Sequence, residues 1–258
     1  MDITDFSLDI FSLQGKVAIV TGGNSGLGQA FALALAKAGA DIFVPSIADD
    51  DGTTRSLIEG TGRRFEFLEI DMTGLDAPAH SVEETLRRLG GLDVIVNSAG
   101  ICTLADVQEF DRQKWDPMLD LNLTAAFALS HAAVEHFAGQ GSGKIINIAS
   151  LFAFLGGRSS PAYAAAKHGL VGLTKAYSDE LAQHGIQVNA IAPGYFATAM
   201  TAATRQDPDA SRRVLEHIPA GRWGEVSDLM GAVVFLASNA SDYVNGHVLT
   251  VDGGYLVR

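Results

Sequence analysis

Val17-Ala18-Ile19-Val20-Thr21-Gly22-Gly23-Asn24-Ser25-Gly26-Leu27-Gly28 decides the fold. The apolar run 17–20 reads as a short strand buried on both faces. A glycine-rich turn follows, and then a helical pattern over 29–37. Glycine lets the backbone pass close to a pyrophosphate, while a helix N-terminus offers unpaired N–H groups and a positive dipole end. The spacing Gly22-x-x-x-Gly26-x-Gly28 is not the six-residue dinucleotide fingerprint, but it serves the same purpose. In a chain with 28 glycines such spacing arises easily by chance. Its place at the first strand-to-helix turn is what makes Gly22, Asn24, Ser25, Gly26, Leu27 and Gly28 candidates to hold a dinucleotide.

The same rhythm continues outward. Apolar runs at 17–20, 41–44, 65–68, 94–96, 144–148, 187–191 and 248–251 alternate with helical patterns at 29–37, 79–89, 115–137, 163–183 and 228–236. Alternation of this kind implies right-handed crossovers and a sheet covered by helices on both faces. The expected fold is one doubly wound α/β domain over 1–258, Rossmann-like, with a mostly parallel sheet of about seven strands. The polar segment 197–222 interrupts the rhythm. An insertion of that length in a compact domain reads as a substrate lid.

Composition removes several classes of function. The chain has 258 residues, 47% hydrophobic and 19% charged, and a net charge of −12 without a dense block of Lys or Arg. Nucleic acid is therefore not an expected partner. An anionic substrate would need local cationic or backbone donors against that background. Cys102 stands alone, which excludes an intramolecular disulfide and a multi-cysteine metal site and suits a reducing compartment. The N-terminal stretch carries acidic residues and no long apolar core, so neither a signal peptide nor a membrane partner is expected, and the cytoplasm is the default location.

Selectivity between nicotinamide cofactors is usually set at the end of the second strand. The chain reads Val44-Pro45-Ser46-Ile47-Ala48-Asp49-Asp50-Asp51 there, with no cation to pair a 2′-phosphate and three carboxylates to repel one. NAD is expected over NADP on this charge argument, with Ser46 at the ribose position. Asp71, followed by Met72, ends the third strand, and Asn97-Ser98-Ala99-Gly100 ends the fourth. Strand C-termini border the ligand crevice of such sheets. Asp71 could accept from an adenine amino group, and the small residues through Ala99 and Gly100 let backbone approach the adenosine. Taken singly, Asp71 reads equally well as a helix N-cap and the Asn-Ser-Ala-Gly run as an ordinary turn.

Tyr163-Ala164-Ala165-Ala166-Lys167 opens a helix, and i, i+4 spacing puts both side chains on one face. A phenol near pKa 10 is poorly matched to proton transfer at neutrality. A neighbouring ammonium, aided by the positive nicotinamide ring, favours phenolate and is expected to lower that value. Ser150, at the end of the run 144–148, could hold a substrate oxygen, although a serine there also serves as a turn or N-cap. Asn122 lies inside an apolar helical pattern, where its amide needs a partner. It could hold backbone, or a water that relays protons through Lys167.

Together these residues form a pattern that the separate motifs lack. Glycine turn, Asp71, Asn97-Ser98-Ala99-Gly100, Asn122, Ser150, Tyr163 and Lys167 occur in the order of the short-chain dehydrogenase/reductase family, which the chain resembles over almost its whole length. Ser98 departs from the family's usual Asn. The resemblance implies a hydride transfer between nicotinamide and a carbonyl or alcohol carbon, with Asn122, Ser150, Tyr163 and Lys167 as the catalytic set. It also implies that Tyr163 and Lys167 touch the cofactor and that Pro193, Gly194, Phe196 and Thr198 border the nicotinamide. A homotetramer follows from it too, with contacts through the apolar faces of the 115–137 and 163–183 helices.

Within the family, Ile218-Pro219-Ala220-Gly221-Arg222-Trp223-Gly224 and Phe235-Leu236-Ala237-Ser238-Asn239-Ala240-Ser241-Asp242-Tyr243-Val244-Asn245-Gly246 resemble the 2-deoxy-D-gluconate 3-dehydrogenases. That implies a keto-deoxy sugar acid as the small-molecule substrate. Its carboxylate would need Arg158 or Arg222, with His168 nearby, and its reacting oxygen Ser150 and Tyr163. The competing readings are a reductase of a 3-oxoacyl thioester or polyol-derived ketone, and a silent nucleotide-binding sensor on the same fold.

Overall fold

Burial on both faces is what makes the strands. The computed structural model describes residues 3–258. Its strands are β1 (Val17–Val20), β2 (Asp41–Ser46), β3 (Phe65–Glu69), β4 (Val94–Asn97), β5 (Gly143–Ile148), β6 (Ile186–Pro193) and β7 (Val248–Val251). Every residue of β1, β4 and β5 is buried, as near-continuous apolar runs require. All seven strands run parallel in the order β3-β2-β1-β4-β5-β6-β7. The order reverses between β1 and β4, so the loops leaving these two strands diverge and open a crevice at the C-terminal edge.

The helices are α1 (Gly26–Ala38), α2 (Thr53–Glu59), α3 (Ala77–Leu89), α4 (Arg112–Leu119), α5 (Ala125–Gln140), α6 (Pro161–Leu181), α7 (Ala202–Gln206), α8 (Pro208–His217) and α9 (Met230–Ala237). On one face of the sheet Phe31 and Leu35 of α1 pack with Val233 and Leu236 of α9 against Ala18, Val20 and Val96. On the other, Val82 of α3 and Leu129 and Phe137 of α5 cover Ile19, Ile95 and Ile145. Phe31 and Phe137 are fully buried, and each such side chain contributes about 1.5–3 kcal/mol.

The expected helix 115–137 differs in one useful respect. It is α4, a π-helical turn at Asp120–Thr124 and α5 in succession, with Pro117 inside α4. The Asn122 side chain bonds back to the Met118 carbonyl at 2.9 Å, a competition that loosens regular α-helical pairing. The segment 197–222 holds a 3-10 turn at Ala199–Thr201 followed by α7 and α8. Among the described residues no helix is long and apolar enough to cross a membrane. A cavity of about 290 Å³ opens at the N-terminal edge of the sheet beside Lys16, Asp93, Lys144 and Asp242, away from the crevice.

Candidate active site

The turn after β1 has the form a dinucleotide needs. Gly22 and Gly26 adopt φ of +63° and +52°. A Cβ on Gly23 would strike Val44 and the Val20 carbonyl at 2.8 and 2.9 Å, and one on Gly28 would reach the Gly22 carbonyl oxygen at 2.3 Å. Beside Gly26, by contrast, there is nothing within 4 Å, so the turn presents an open cradle. Ser25 caps α1 without a side-chain bond, and the first turn of α1 holds no acidic residue. The free N–H groups and the dipole are thus left for an anion. These residues fit a pyrophosphate. Leu27 is half-buried and packs on the core behind the turn.

Around the cradle, Asn24 Nδ2 donates to the carbonyls of Ala48 and Asp49 at 2.7 and 3.2 Å, tying the turn to the end of β2. Ser46 is buried, and its hydroxyl accepts from the Ala48 N–H. Thr21, which sequence reasoning missed, anchors the opposite wall: its hydroxyl oxygen accepts from the N–H groups of Ser98 and Ala99, both at 2.9 Å. A hydroxyl at the end of an apolar strand was its one available signal.

Ser150 leaves the end of β5, Tyr163 and Lys167 lie on the first two turns of α6, and Asn122 enters from the π turn. The Ser150 hydroxyl neighbours the Tyr163 phenol and favours its ionised form, while accepting from the Phe152 N–H at 3.2 Å. Phe152 stands edge-on to the Tyr163 ring at 5.9 Å. Lys167 Nζ lies 5.3 Å from the centre of that ring and donates to the Ile148 carbonyl at 2.7 Å. Asn122 Nδ2 donates to the carbonyls of Ile101 and Met118, while its buried Oδ1 has no partner. That oxygen lies 2.6 Å from where a Gly100 Cβ would stand, and Lys167 Nζ lies 3.9 Å from the same point. An acceptor and an ammonium therefore face one small polar space behind Tyr163.

The expected lowering of the Tyr163 pKa does not hold for the protein alone. Burial raises it above the ordinary phenol value, and the neighbouring Ser150 hydroxyl opposes this only in part. Burial likewise brings Lys167 down to about 8.

Several predicted residues sit differently from expectation. Asp71 Oδ1 is engaged by the backbone and hydroxyl of Thr73 at 2.9 and 2.8 Å, closing a local turn. Met72 is buried beneath it. The Asn97 side chain turns into the sheet, donating to Asn147 and Ser130, so only its backbone faces the crevice. Ala99 and Gly100 do border the cradle and the catalytic group. Pro193 ends β6, and a Gly194 Cβ would lie 2.7 Å from Asp252 Cα, which explains the glycine. The Phe196 ring is buried against Gly224, and its carbonyl accepts from the Thr201 hydroxyl at 2.6 Å and the Thr198 N–H at 3.0 Å. Thr198 opens the 3-10 turn before α7 and accepts from Arg205 at its carbonyl.

The two candidate cations separate clearly. Arg222 is held by Asp228 through two hydrogen bonds of 2.6 and 3.0 Å. Arg158 is exposed in the 152–161 segment, and among the described residues no carboxylate forms an ion pair with it. His168 is spent on the Ala164 carbonyl at 2.9 Å.

A family model described as enoyl-(acyl carrier protein) reductase matches residues 22–256. The 2-dehydro-3-deoxy-D-gluconate 5-dehydrogenase of Escherichia coli K12 is 48% identical, covering 97% of this chain and 99% of its own. This chain belongs to the short-chain dehydrogenase/reductase family. It is an NAD(P)-dependent oxidoreductase acting on CH–OH groups. The E. coli K12 oxidoreductase YgcW, uncharacterized, is 61% identical over 98% of this chain and 97% of its own. Among solved structures of the short-chain dehydrogenase/reductase family, a gluconate 5-dehydrogenase from Burkholderia cenocepacia in complex with NADP and tartrate superposes with a TM-score of 0.93. It is 36% identical and covers 98% of this chain and 100% of that one.

The bound NADP in that relative corrects the expectation that NADP ranks below NAD. Asp51 accepts from the Thr53 N–H at 2.9 Å, which holds its carboxylate ionised, so the charges counted at 49–51 are present but do not rank the two cofactors.

Proposed function

We propose that this enzyme interconverts a secondary alcohol and a ketone on a keto-deoxy sugar acid, accepting NADP(H) as well as NAD(H). The observation that carries this reading is Tyr163, neighboured by the Ser150 hydroxyl and backed by Lys167, with Arg158 exposed in the 152–161 segment. The name of the 48% identical relative supports the substrate class.

The nicotinamide, when bound, supplies or accepts the hydride. In reduction, Tyr163 Oη gives its proton to the substrate oxygen while Ser150 Oγ holds that oxygen in place. Lys167 stabilises the phenolate left behind. Asn122 keeps Ile101 in place and offers Oδ1 to the space through which Lys167 is reprotonated. The glycine cradle and the N-terminus of α1 hold the pyrophosphate. Segment 197–222 closes over the substrate, with α7 tied to Thr198 through Arg205. Phe127, His131 and Tyr177 make an aromatic cluster on α5 and α6, and this face is the proposed contact of a homotetramer.

Substrate assays with keto-deoxy gluconates, neutral ketones and 3-oxoacyl thioesters, run with both cofactors, test the reading. Sugar acids give the highest kcat/KM, with NADPH turning over alongside NADH. A preference for thioesters, or no turnover of any ketone, contradicts it. Arg158→Ala should raise KM for a sugar acid about tenfold and leave that for a neutral ketone unchanged, since a single charge-assisted contact is lost. Equal effects on both would remove Arg158 from the carboxylate site.

Acidity gives a second check. Lys167 loses its proton as pH rises through about 8 in the free enzyme. Reduction requires Tyr163 protonated beside a charged Lys167, so its kcat/KM falls above about 8. Oxidation draws on the phenolate that a charged Lys167 stabilises, so it loses that support over the same interval. A reduction profile that stays flat there excludes Lys167 as the titrating group.

A further inference from the structure

Ser160 is fully buried and stands at the N-cap of α6, yet its side chain makes no capping bond. An N-cap serine ordinarily satisfies one of the free N–H groups of the first turn. Here the hydroxyl donates instead to the Thr103 carbonyl at 3.0 Å and lies 3.6 Å from the Cys102 sulfur. One residue earlier, the Ser159 carbonyl accepts from the Ala105 N–H at 2.9 Å. Ser159 has φ of +61°, the single positive value at a non-glycine among the described residues. An L residue holds that conformation when its surroundings impose it.

The segment clasped in this way is also held from behind. Asn122 donates to the Ile101 carbonyl, and the Thr103 N–H meets Met118 Sδ at 3.3 Å. It continues directly from Ser98 and Ala99, which Thr21 ties to the cofactor turn. An unbroken set of contacts thus runs from the glycine cradle to the first turn of α6, three residues before Tyr163.

We propose that Ser160 is a positioning residue: by giving its hydroxyl to Thr103 rather than to its own helix, it sets Tyr163 relative to the cofactor-side loop. The proposal takes from the proposed function only that Tyr163 is the proton donor. A displacement well under a bond length at the donor costs rate steeply, because proton transfer needs hydrogen-bond geometry. Cys102 is a wall of the clasp. Burial pushes its thiol pKa up, which keeps it unreactive while the clasp is shut.

Cys102 is the sole cysteine of the chain, so alkylation by iodoacetamide reports on the clasp directly. In cofactor-free Ser160→Ala the alkylation rate should rise about fivefold, and kcat should fall about tenfold with the KM for cofactor unchanged. Ser160→Thr, which keeps the hydroxyl, restores most of both. In a Tyr163→Phe background the Ser160→Ala loss disappears, because the residue acts through that phenol. Ala105→Pro removes the other contact without touching α6 and should show the same pattern, more weakly. Unchanged alkylation in both variants overturns the proposal, as does an equal fractional loss of kcat in the Tyr163→Phe background. Should Tyr163→Phe itself keep full activity, the proposed function fails, and the alkylation rates still decide the clasp.

Discussion

Tyr163→Phe should lower kcat by about a thousandfold, some 4 kcal/mol of transition-state stabilisation, while cofactor affinity stays within about twofold. The ring is placed by its edge contact with Phe152 and by the first turns of α6, and phenylalanine keeps that shape. What is lost is the hydroxyl that neighbours Ser150 and carries the proton. Stability should not fall, because the variant removes a buried hydroxyl whose neighbour Ser150 keeps the Phe152 N–H at 3.2 Å. Steady-state turnover beside a cofactor titration checks this. Unchanged turnover would mean that proton transfer lies elsewhere; cofactor binding without turnover in the unaltered protein would restore the silent-sensor reading.

Gly28→Ala should have the second large effect. The added Cβ meets the Gly22 oxygen and carbon at 2.3 and 2.9 Å and Gly23 Cα at 3.1 Å, all backbone. Relief requires opening the turn that cradles the pyrophosphate. We expect a destabilisation of about 2 kcal/mol and a loss of cofactor affinity of about a hundredfold. Gly26→Ala separates the two consequences. Its Cβ meets nothing within 4 Å, so the cost in the free protein is the left-handed backbone alone, about 1 kcal/mol. Affinity still falls, because the methyl stands in the cradle. Thermal melts with and without cofactor distinguish the pair. Equal melting temperatures for Gly28→Ala and the parent protein would show that the turn is looser than its contacts imply.

The sheet was legible in the sequence because its inner strands are buried on both faces and leave nearly unbroken apolar runs, while the half-buried edge strands β3 and β7 are still rich in apolar residues. α2 was not, since Thr54 and Ile58 are its sole buried positions and a helix that short has no visible period. α4 is polar and contains Pro117, so the expected helix began late and its π turn went unseen. At the site, Tyr163 and Lys167 were readable because one helix carries both, and Asn122 because an amide in an apolar helix requires an explanation. Thr21 and Ser160 were not, because their roles depend on carbonyls and N–H groups far away in the chain. At 49–51 the charges are real, with Thr53 holding Asp51 ionised, yet a relative of the same fold binds NADP, so charge counting there did not rank the cofactors. Between Arg158 and Arg222 the sequence favoured Arg158, and the engagement of Arg222 by Asp228 is a structural tie that the family motif had suggested.

The central claim is a direct hydride transfer to a sugar-acid ketone, set up by Tyr163. Cofactor deuterated at the transferring face of the nicotinamide C4, incubated with a keto-deoxy gluconate, tests it most directly. The account predicts one deuterium on the carbinol carbon of the product, with NADPH and NADH alike, and its loss in Tyr163→Phe. Deuterium retained on the nicotinamide while the substrate stays a ketone would contradict it.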